Sequence, residues 1–305
     1  MKFWLHSVAL VWSLLALGFT QAQTAVPDRA SHRAHLRMGL VNPRCFCSAT
    51  SDEEYNRSSI NANLQRHCYF IDRLAGQGVE FVGFPEMSVT GYQFSPWMTW
   101  LRLDGPEVRK LRDKARERGV YVAAGFAEQE ADGKRWNTHI VIDPQGEIIA
   151  RHHKIELTDE EGYTGSGTEL KVFTVKGVKM GIAICADGSK RRNLQTLAAR
   201  GARIIYAPHA TRNNGTTAGW YRFRSDWSGP DGWIAQLGVY AALHNHAGQY
   251  HPDFKPPWKV ASAGWCSGAW FIGPKGETLA RMPRSTSKAD SLEHVLIHDI
   301  PLNGK

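Results

Sequence analysis

Apolar residues recur along the chain in two alternating patterns, which predict strands and helices in turn. Short apolar runs at 36–42 and 79–84 predict buried strands, and a proline follows each run directly. Between these runs Ile60, Leu64 and Ile71 recur at helical spacing, and Gly76 follows as a natural stop. Further strands are predicted at 120–126, 138–143, 147–151, 171–175, 178–184, 202–207, 238–243, 268–273 and 294–299, and further helices at 108–118 and 194–200. No Gly-, Ser- or Pro-rich linker divides the series, which favours one α/β domain over two.

Two segments with similar sequences refine this architecture. Residues 142–151 read IDPQGEIIAR and residues 272–281 read IGPKGETLAR. Each predicts a strand, a Pro-x-Gly turn and a second strand. Such hairpins are common, but the shared Glu and the shared terminal Ala-Arg favour a duplicated sheet edge. The sequence therefore predicts two stacked sheets built from related halves.

The N-terminal segment has the pattern of a secretory signal. Lys2 is followed by an apolar run at 8–19, which is too short for a comfortable membrane span. Thr20 and Ala22 are small residues suited to a signal peptidase. We therefore expect a cleaved signal at 1–22, a flexible segment at 23–35 and one domain at 36–305; an uncleaved anchor is the alternative. No later stretch is apolar enough to span a bilayer, so we expect an exported protein, without a membrane anchor after cleavage, in an oxidising compartment.

Composition excludes several classes of protein. The 305 residues are 42% hydrophobic and 22% charged, which excludes wholesale disorder. The formal charge is +8, but Lys and Arg are scattered except at 190–192, so we expect no nucleic-acid binding. The cysteine count is 5, an odd number, so one thiol stays free or pairs with another chain.

Three polar residues occur at or just after predicted strands. Glu86 follows an apolar strand that stops at Pro85, and Lys154 follows the first Pro-x-Gly hairpin. Cys185 ends a buried strand and enters a turn containing Gly188, whose backbone N–H groups favour a thiolate or an oxyanion. Singly, each has a structural interpretation: a buried small hydrophobe, a capping carboxylate or a solvated lysine. The order Glu, Lys, Cys is far more specific than any one of them.

This order resembles the nitrilase superfamily, the carbon–nitrogen hydrolases that use a Glu-Lys-Cys triad. The resemblance spans residues 36–300, nearly the whole predicted domain. The matching motifs are Phe84-Pro85-Glu86, Thr90-Gly91-Tyr92, His153-Lys154, Gly181-Ile182-Ala183-Ile184-Cys185-Ala186-Asp187 and Asn245-His246-Ala247-Gly248. It implies a four-layer α-β-β-α sandwich, which agrees with the two sheets expected from the hairpins, and a homodimer or higher homo-oligomer.

The resemblance also implies catalytic roles. Cys185 would be the nucleophile, and Glu86 would be the base that takes its proton and later activates water. Lys154 would stabilise the tetrahedral oxyanion, helped by the backbone N–H of Ala186. These roles meet the chemical demands, because a thiolate needs a nearby base and an amide oxygen needs a positive charge as it becomes negative.

Other site residues are expected from the same resemblance. Many members carry a second glutamate shortly after the lysine; Glu161 is the best match, with Glu160 as the alternative. Tyr92 and His209 follow elements that should border the triad, so they are candidates for substrate binding. Core packing explains both residues equally well.

Departures from the family pattern bear on the substrate. Nitrilases usually have Trp-Glu after the cysteine, whereas Ala186-Asp187-Gly188 stands here, closer to amidase-like branches. The first expectation is therefore hydrolysis of a small linear amide by water. Carbamoyl-amide cleavage, nitrile hydrolysis, acyl transfer to an amine and a non-catalytic secreted binding protein remain as alternatives.

The remaining cysteines and histidines are expected to have structural roles. His244, His246 and the Cys45-x-Cys47 pair lack the spacing of a four-ligand metal site, so we expect neither a metal nor a cofactor. With Cys185 free, Cys45, Cys47, Cys68 and Cys266 form an even set. We expect at least one disulfide, joining Cys68 to Cys45 or Cys47.

Overall fold

The computed structural model describes residues 35–47, 50–162, 164–211, 217–247, 267–283 and 293–302. The predicted signal at 1–22 and most of the segment that follows it lie outside these residues. The strands are β1 (His35–Asn42), β2 (Phe81–Gly83), β3 (Tyr121–Gln129), β4 (Arg135–Ile142), β5 (Ile148–His153), β6 (Val172–Val175), β7 (Val178–Ile182), β8 (Ile204–Pro208), β9 (Tyr240–His244), β10 (Ala269–Ile272), β11 (Thr278–Arg281) and β12 (His294–Pro301). The helices are α1 (Glu53–Ala75), α2 (Pro106–Arg118), α3 (Arg191–Ala199), α4 (Thr217–Phe223) and α5 (Trp233–Leu237).

The described strands form two six-stranded sheets with matching topology. The first has the order β12-β1-β2-β3-β4-β5 and the second has the order β11-β10-β9-β8-β7-β6. Three parallel strands lie in the middle of each sheet, β1 to β3 in one and β7 to β9 in the other. The flanking strands are antiparallel, and β12 returns from the second half of the chain to pair with β1. The carboxyl ends of the parallel strands bring their polar residues to one edge of each sheet.

The two sheets pack face to face across an apolar core. Met38 and Leu40 from β1 belong to this core, together with Ile182 from β7 and Tyr206 from β8. Val41 belongs instead to the cluster on the opposite face of the first sheet, because successive strand side chains point to opposite faces.

Helices cover the two outer faces. Ile60 of α1 and Leu111 of α2 pack into the cluster on the first sheet. Leu194 and Leu197 of α3 and Ile234 of α5 pack into the cluster on the second. The predicted α-β-β-α sandwich is therefore confirmed.

Local signals account for most helix ends. Asp52 accepts a hydrogen bond from the backbone N–H of Tyr55 and so begins α1 earlier than its apolar pattern alone predicts. Pro106 occupies the first turn of α2, and Gly119 ends that helix in the left-handed conformation. The short helices α4 and α5 were not predicted. Among the described helices, none is long and apolar enough to span a membrane.

The two similar hairpins form equivalent sheet edges. The β4–β5 hairpin ends the first sheet and the β10–β11 hairpin ends the second. Gly146 and Gly276 take positive φ values of 80° and 78° in the two turns. Each donates its N–H over 2.9 Å to the carbonyl three residues earlier, at Asp143 and at Gly273. The structure thus shows the repeated edge that the sequence predicted.

The predicted disulfide between Cys68 and Cys45 or Cys47 is wrong. The four described cysteines, Cys45, Cys47, Cys68 and Cys185, are free. Cys45 and Cys47 are buried in a cluster beside the end of β2. Cys68 is half-buried on α1, where burial raises the pKa of its thiol and Lys110 and Lys114 of α2 oppose this effect. The thiols of the two groups therefore face different surroundings. Cys266 lies outside the described residues.

Gly125 on β3 is expected to be sensitive to substitution. A Cβ added there would lie 2.5 Å from the backbone nitrogen of Met87 and 2.8 Å from Nδ1 of His139. Gly125→Ala should therefore lower the free energy of unfolding by about 1–3 kcal/mol. Gly76→Ala is the control, because a Cβ there meets only ordinary contacts at 3.5 Å and beyond. Urea denaturation of both variants makes the comparison, and equal stability of the two would contradict the expectation.

Candidate active site

The residues singled out in the sequence meet where the carboxyl ends of several strands converge. Glu86 follows β2, Lys154 follows β5, and Cys185 follows β7 in the other sheet. Glu86 and Lys154 are fully buried, and Cys185 retains 9% exposure. Both Glu86 and Lys154 interact electrostatically with the thiol. The sandwich thus brings residues from its two halves to one place.

Neighbouring groups hold the backbone that carries Glu86. The hydroxyl of Tyr206 donates to the carbonyl of Phe84 over 2.7 Å. Nε2 of His246 donates to the carbonyl of Glu86, also over 2.7 Å. Burial lowers the pKa of His246 to about 4, so this imidazole is neutral at neutral pH. Tyr206 on β8 and His246 just after β9 therefore support the segment that follows β2 in the first sheet.

An ammonium group between two carboxylates forms the centre of the site. Nζ of Lys154 lies 2.7 Å from Oε1 of Glu86 and 2.6 Å from Oε2 of Glu161. Nδ2 of Asn137, on β4, donates to the same two carboxylates over 2.8 Å and 2.7 Å. All four side chains are fully buried. The buried charges are thus matched by direct hydrogen bonds, as burial requires.

Glu161 occupies the position expected of the second glutamate. It lies in a short 3-10 turn, Asp159–Glu161, that begins after Thr158. The backbone N–H and the hydroxyl of Thr158 donate to its Oε2 over 2.9 Å and 3.1 Å. Of the two glutamates considered from the sequence, Glu161 therefore has the contact with Lys154, whereas the side chain of Glu160 lies outside what the structure describes.

The buried charges shift the titration of Glu86 and Lys154. Burial raises the pKa of Glu86; Lys154 opposes this effect and the neighbouring negative charge of Glu161 adds to it. Burial would lower the pKa of Lys154, but the negative charges around it, Glu86 first among them, raise it well above its usual value. Lys154 is therefore a permanent cation. Oε2 of Glu86 has no hydrogen-bond partner among the described residues, which leaves it available to accept a proton.

Cys185 occupies a strained position. Its φ is +43°, a conformation that residues other than glycine rarely adopt. Burial raises the pKa of the thiol to about 11, the charge of Glu86 adds to this, and nearby cations oppose it. The thiol is therefore protonated at neutral pH, and a thiolate must form by proton transfer to a base during reaction.

Asp187 joins the turn of Cys185 to the segment of Lys154. Its Oδ1 accepts from the backbone N–H groups of Ile155 and Glu156 over 3.0 Å and 2.8 Å. Its Oδ2 accepts from Nε2 of His152 over 2.9 Å and from the N–H of Ile184 over 3.1 Å. One buried carboxylate thus sets the position of two candidate catalytic residues.

The expected substrate-binding residues have different surroundings. Tyr92 is buried with its ring 5.6 Å from Nζ of Lys154, and its hydroxyl lies 3.1 Å from Oγ1 of Thr158. Ala186 is the partly exposed residue next to Cys185. His209 is fully buried, and both ring nitrogens bond to protein groups. Tyr92 and Ala186 therefore border the site. Both ring nitrogens of His209 are already bonded to the protein, so this residue supports the site and does not bond to a substrate.

The sequence interpretation missed two functional contacts. Asn137 carries no motif, and the only signal is an amide side chain on the inward face of an apolar strand. Asp187 was noted only as a mark of amidase-like branches, although it connects two loops. No group of three or more His, Cys, Asp or Glu side chains within the described ranges is arranged to hold a metal ion.

Known proteins similar to this chain include amidases and nitrilases. The omega-amidase NIT2 of Mus musculus is 30% identical over 165 residues, which cover 50% of this chain and 60% of that protein. A nitrilase of Pyrococcus abyssi is 32% identical over 145 residues, covering 45% of this chain and 55% of that protein. An aliphatic nitrilase of Rhodococcus rhodochrous is 25% identical over 269 residues, covering 76% and 69% of the two chains. The chain thus spans about 60% of the length of the first of these relatives.

Solved structures show the same fold. The amidase from Nesterenkonia sp. superposes with a TM-score of 0.70 at 20% identity, covering 88% of this chain and 91% of that one. A variant of the amidase from Nesterenkonia sp. AN1, in complex with butyramide, gives a TM-score of 0.66 at 19% identity, with 88% and 92% covered. The carbon–nitrogen hydrolase family matches residues 48–304, which include every side chain of the candidate site. The chain therefore belongs to the carbon–nitrogen hydrolase family.

Proposed function

We propose that this chain is an exported amidase, acting as a homodimer or higher homo-oligomer, that hydrolyses a small linear amide through a thioester on Cys185. The observation that carries the proposal is the buried ion cluster beside the thiol. Lys154 bonds to Glu86 and Glu161 over 2.7 Å and 2.6 Å, and the charges of Glu86 and Lys154 act on the Cys185 thiol. A base, a cation and a nucleophile are the groups that acyl transfer requires.

In the first half of the reaction, the Cys185 sulfur attacks the amide carbon while its proton passes to Glu86. The new S–C bond turns the carbonyl oxygen into an oxyanion, which the Lys154 ammonium and the Ala186 N–H stabilise. The C–N bond then breaks, and the amine leaves with the proton from Glu86. This step yields a thioester and restores the Glu86 carboxylate.

In the second half, Glu86 takes a proton from water, and the hydroxide attacks the thioester carbon. The same oxyanion contacts apply, and the C–S bond breaks when the intermediate collapses. The sulfur regains its proton from Glu86, and the carboxylic acid is released. Glu161 and Asn137 bind no reacting atom in this scheme; they hold Lys154 and Glu86 in place.

Two observations favour an amide over a carbamoyl compound or a nitrile. Asp187 stands two residues after the nucleophile, as in amidase-like branches, and its four hydrogen bonds join the nucleophile turn to the segment of Lys154. Relatives named omega-amidase match with 30% identity. Relatives named nitrilase also match, so nitriles are the second class of substrate to be screened.

Substitution of Cys185 tests the nucleophile. Purified protein is screened with short linear amides, carbamoyl amino acids and nitriles, and ammonia or amine release is measured. Cys185→Ala should lower kcat by at least about 10⁴-fold, because no thioester can form. Cys68→Ala is the matched control, since that half-buried thiol lies on α1. Activity that survives in Cys185→Ala would overturn the mechanism. Hydroxylamine added to the wild type should yield a hydroxamate from the thioester.

Substitution of Glu161 tests the ion cluster through the pH profile of kcat/KM. The acid limb reports the base, Glu86, whose pKa lies above its usual value partly because Glu161 is negative. Glu161→Gln removes that charge and favours ionised Glu86, so the acid limb should move to lower pH. The loss of one hydrogen bond to Lys154 should also reduce kcat by about 10- to 100-fold. Glu160→Gln is the comparison, and a shifted limb there but not in Glu161→Gln would reassign the second glutamate.

Analysis of the mature N-terminus tests export. The charged start, short apolar run and small residues at 20–22 support cleavage after Ala22. When the full chain is expressed, the exported protein should begin at Gln23, as read by intact mass. Ala22→Arg should block processing, whereas Arg29→Ala, beyond the cleavage site, should not. A protein that retains Met1 would contradict the proposal.

A further inference from the structure

A buried arginine contacts the nucleophile turn through its backbone and a side-chain hydroxyl. Arg224 follows α4 and is 1% exposed. Its Nη2 donates to the carbonyl oxygen of Cys185 over 2.7 Å, and its Nη1 donates to Oγ of Ser189 over 3.1 Å. Cys185 and Ser189 are the first and last residues of the turn. One planar guanidinium therefore spans the whole turn.

His209 holds Arg224 in this position. Its Nδ1 donates to the carbonyl of Ala207 over 2.9 Å, so its Nε2 accepts the proton of Nε of Arg224 over 2.8 Å. Burial and the charge of Arg224 keep the pKa of His209 well below its usual value. The imidazole is thus neutral in a single tautomer. Each of the three guanidinium nitrogens of Arg224 thus donates a hydrogen bond to a protein group.

The contact with Cys185 falls where the backbone is strained. The positive φ of Cys185, +43°, is a strained conformation that persists only where the surroundings enforce it. Arg224 bonds to the carbonyl of that same residue, and Asp187 holds the N–H of Ile184 just before it. Removing Arg224 should therefore let the turn relax and the sulfur move.

The charge of Arg224 also acts on the sulfur. None of the hydrogen bonds described for its guanidinium goes to a carboxylate. Burial lowers its pKa, while the negative charges of Cys185, Asp226 and Glu86 raise it. An arginine stays protonated at any accessible pH, so this cation faces a thiol that becomes negative during reaction. The groups that act on that thiol are Glu86, which opposes its ionisation, and Lys154, Arg224 and the Thr211 hydroxyl, which favour it.

We propose that Arg224, held by His209, is a positioning residue that fixes the strained Cys185 turn and stabilises the thiolate as it forms. Lys154 forms ion pairs with two carboxylates, whereas no carboxylate among the described residues forms an ion pair with Arg224. Arg224 therefore adds to the positive charge that Lys154 places on the sulfur, and Lys154 also stabilises the oxyanion. This role rests on the proposed function of Cys185 as the nucleophile.

The test measures the thiol directly, without any amide substrate. The rate of alkylation of Cys185 by iodoacetamide is followed against pH, with mass spectrometry of the peptide that carries Cys185. Arg224→Met should shift the alkylation profile to higher pH and slow the reaction at pH 8 by about 10- to 100-fold, the value of a hydrogen bond to a charged group. Arg222→Met is the matched control, because it removes the same charge from an exposed position on α4.

Amide turnover gives the second measurement. Arg224→Met should reduce kcat by a similar factor with KM little changed. Arg224→Lys keeps the charge but not the three hydrogen bonds, so its kcat should lie between those of Arg224→Met and the wild type. An alkylation profile of Arg224→Met that equals that of Arg222→Met would overturn the proposal. If Arg224→Met does not fold, a wild-type profile in Arg224→Lys would overturn the claim that the guanidinium geometry positions the turn. Turnover that survives in Cys185→Ala would instead overturn the proposed function, so the two failures are distinguishable.

Discussion

The buried ammonium of Lys154 is the constraint on which the candidate site depends. A cation with no exposure to solvent requires negative partners, because removing one partner of a buried pair costs about 3–5 kcal/mol. Glu86 and Glu161 supply them at 2.7 Å and 2.6 Å, and Asn137 bonds to both carboxylates. The three charged groups come from separate segments of one half of the chain. Their mutual hydrogen bonds define the geometry into which the thiol of the other half must fit.

The second half of the chain delivers its thiol through a separately braced turn. Asp187 bonds to backbone groups on the Lys154 segment, and Arg224 bonds to the carbonyl of Cys185. The turn is therefore held by two separate buried side chains in a strained conformation. This arrangement explains why the buried thiol of Cys185 is protonated at rest and yet is placed to ionise. Its burial raises the thiol pKa, while the cations Lys154 and Arg224 lower the cost of forming the thiolate.

Sequence patterns predicted most of the fold because they report on local structure. Alternating apolar runs located the strands of both sheets, and the repeated Pro-x-Gly segments predicted the equivalent edges that the β4–β5 and β10–β11 hairpins form. The helices α4 and α5 were missed, since they are short and residues such as Trp220 and Tyr221 of α4 are buried by contacts distant in sequence. The disulfide expected from counting cysteines was wrong, because parity says nothing about whether Cys68 lies near Cys45 or Cys47.

By itself, the sequence determined the α/β class, the two related halves and the three polar residues that follow strands, all of which depend on neighbours along the chain. It left Glu161 and Glu160 open as the second glutamate, and it did not show that the Glu161 carboxylate lies against Lys154. Nor did it identify Asn137 or Arg224, which carry no motif. Only the tertiary structure decided these, since hydrogen bonds between buried polar groups join residues far apart in sequence and are required by the absence of water.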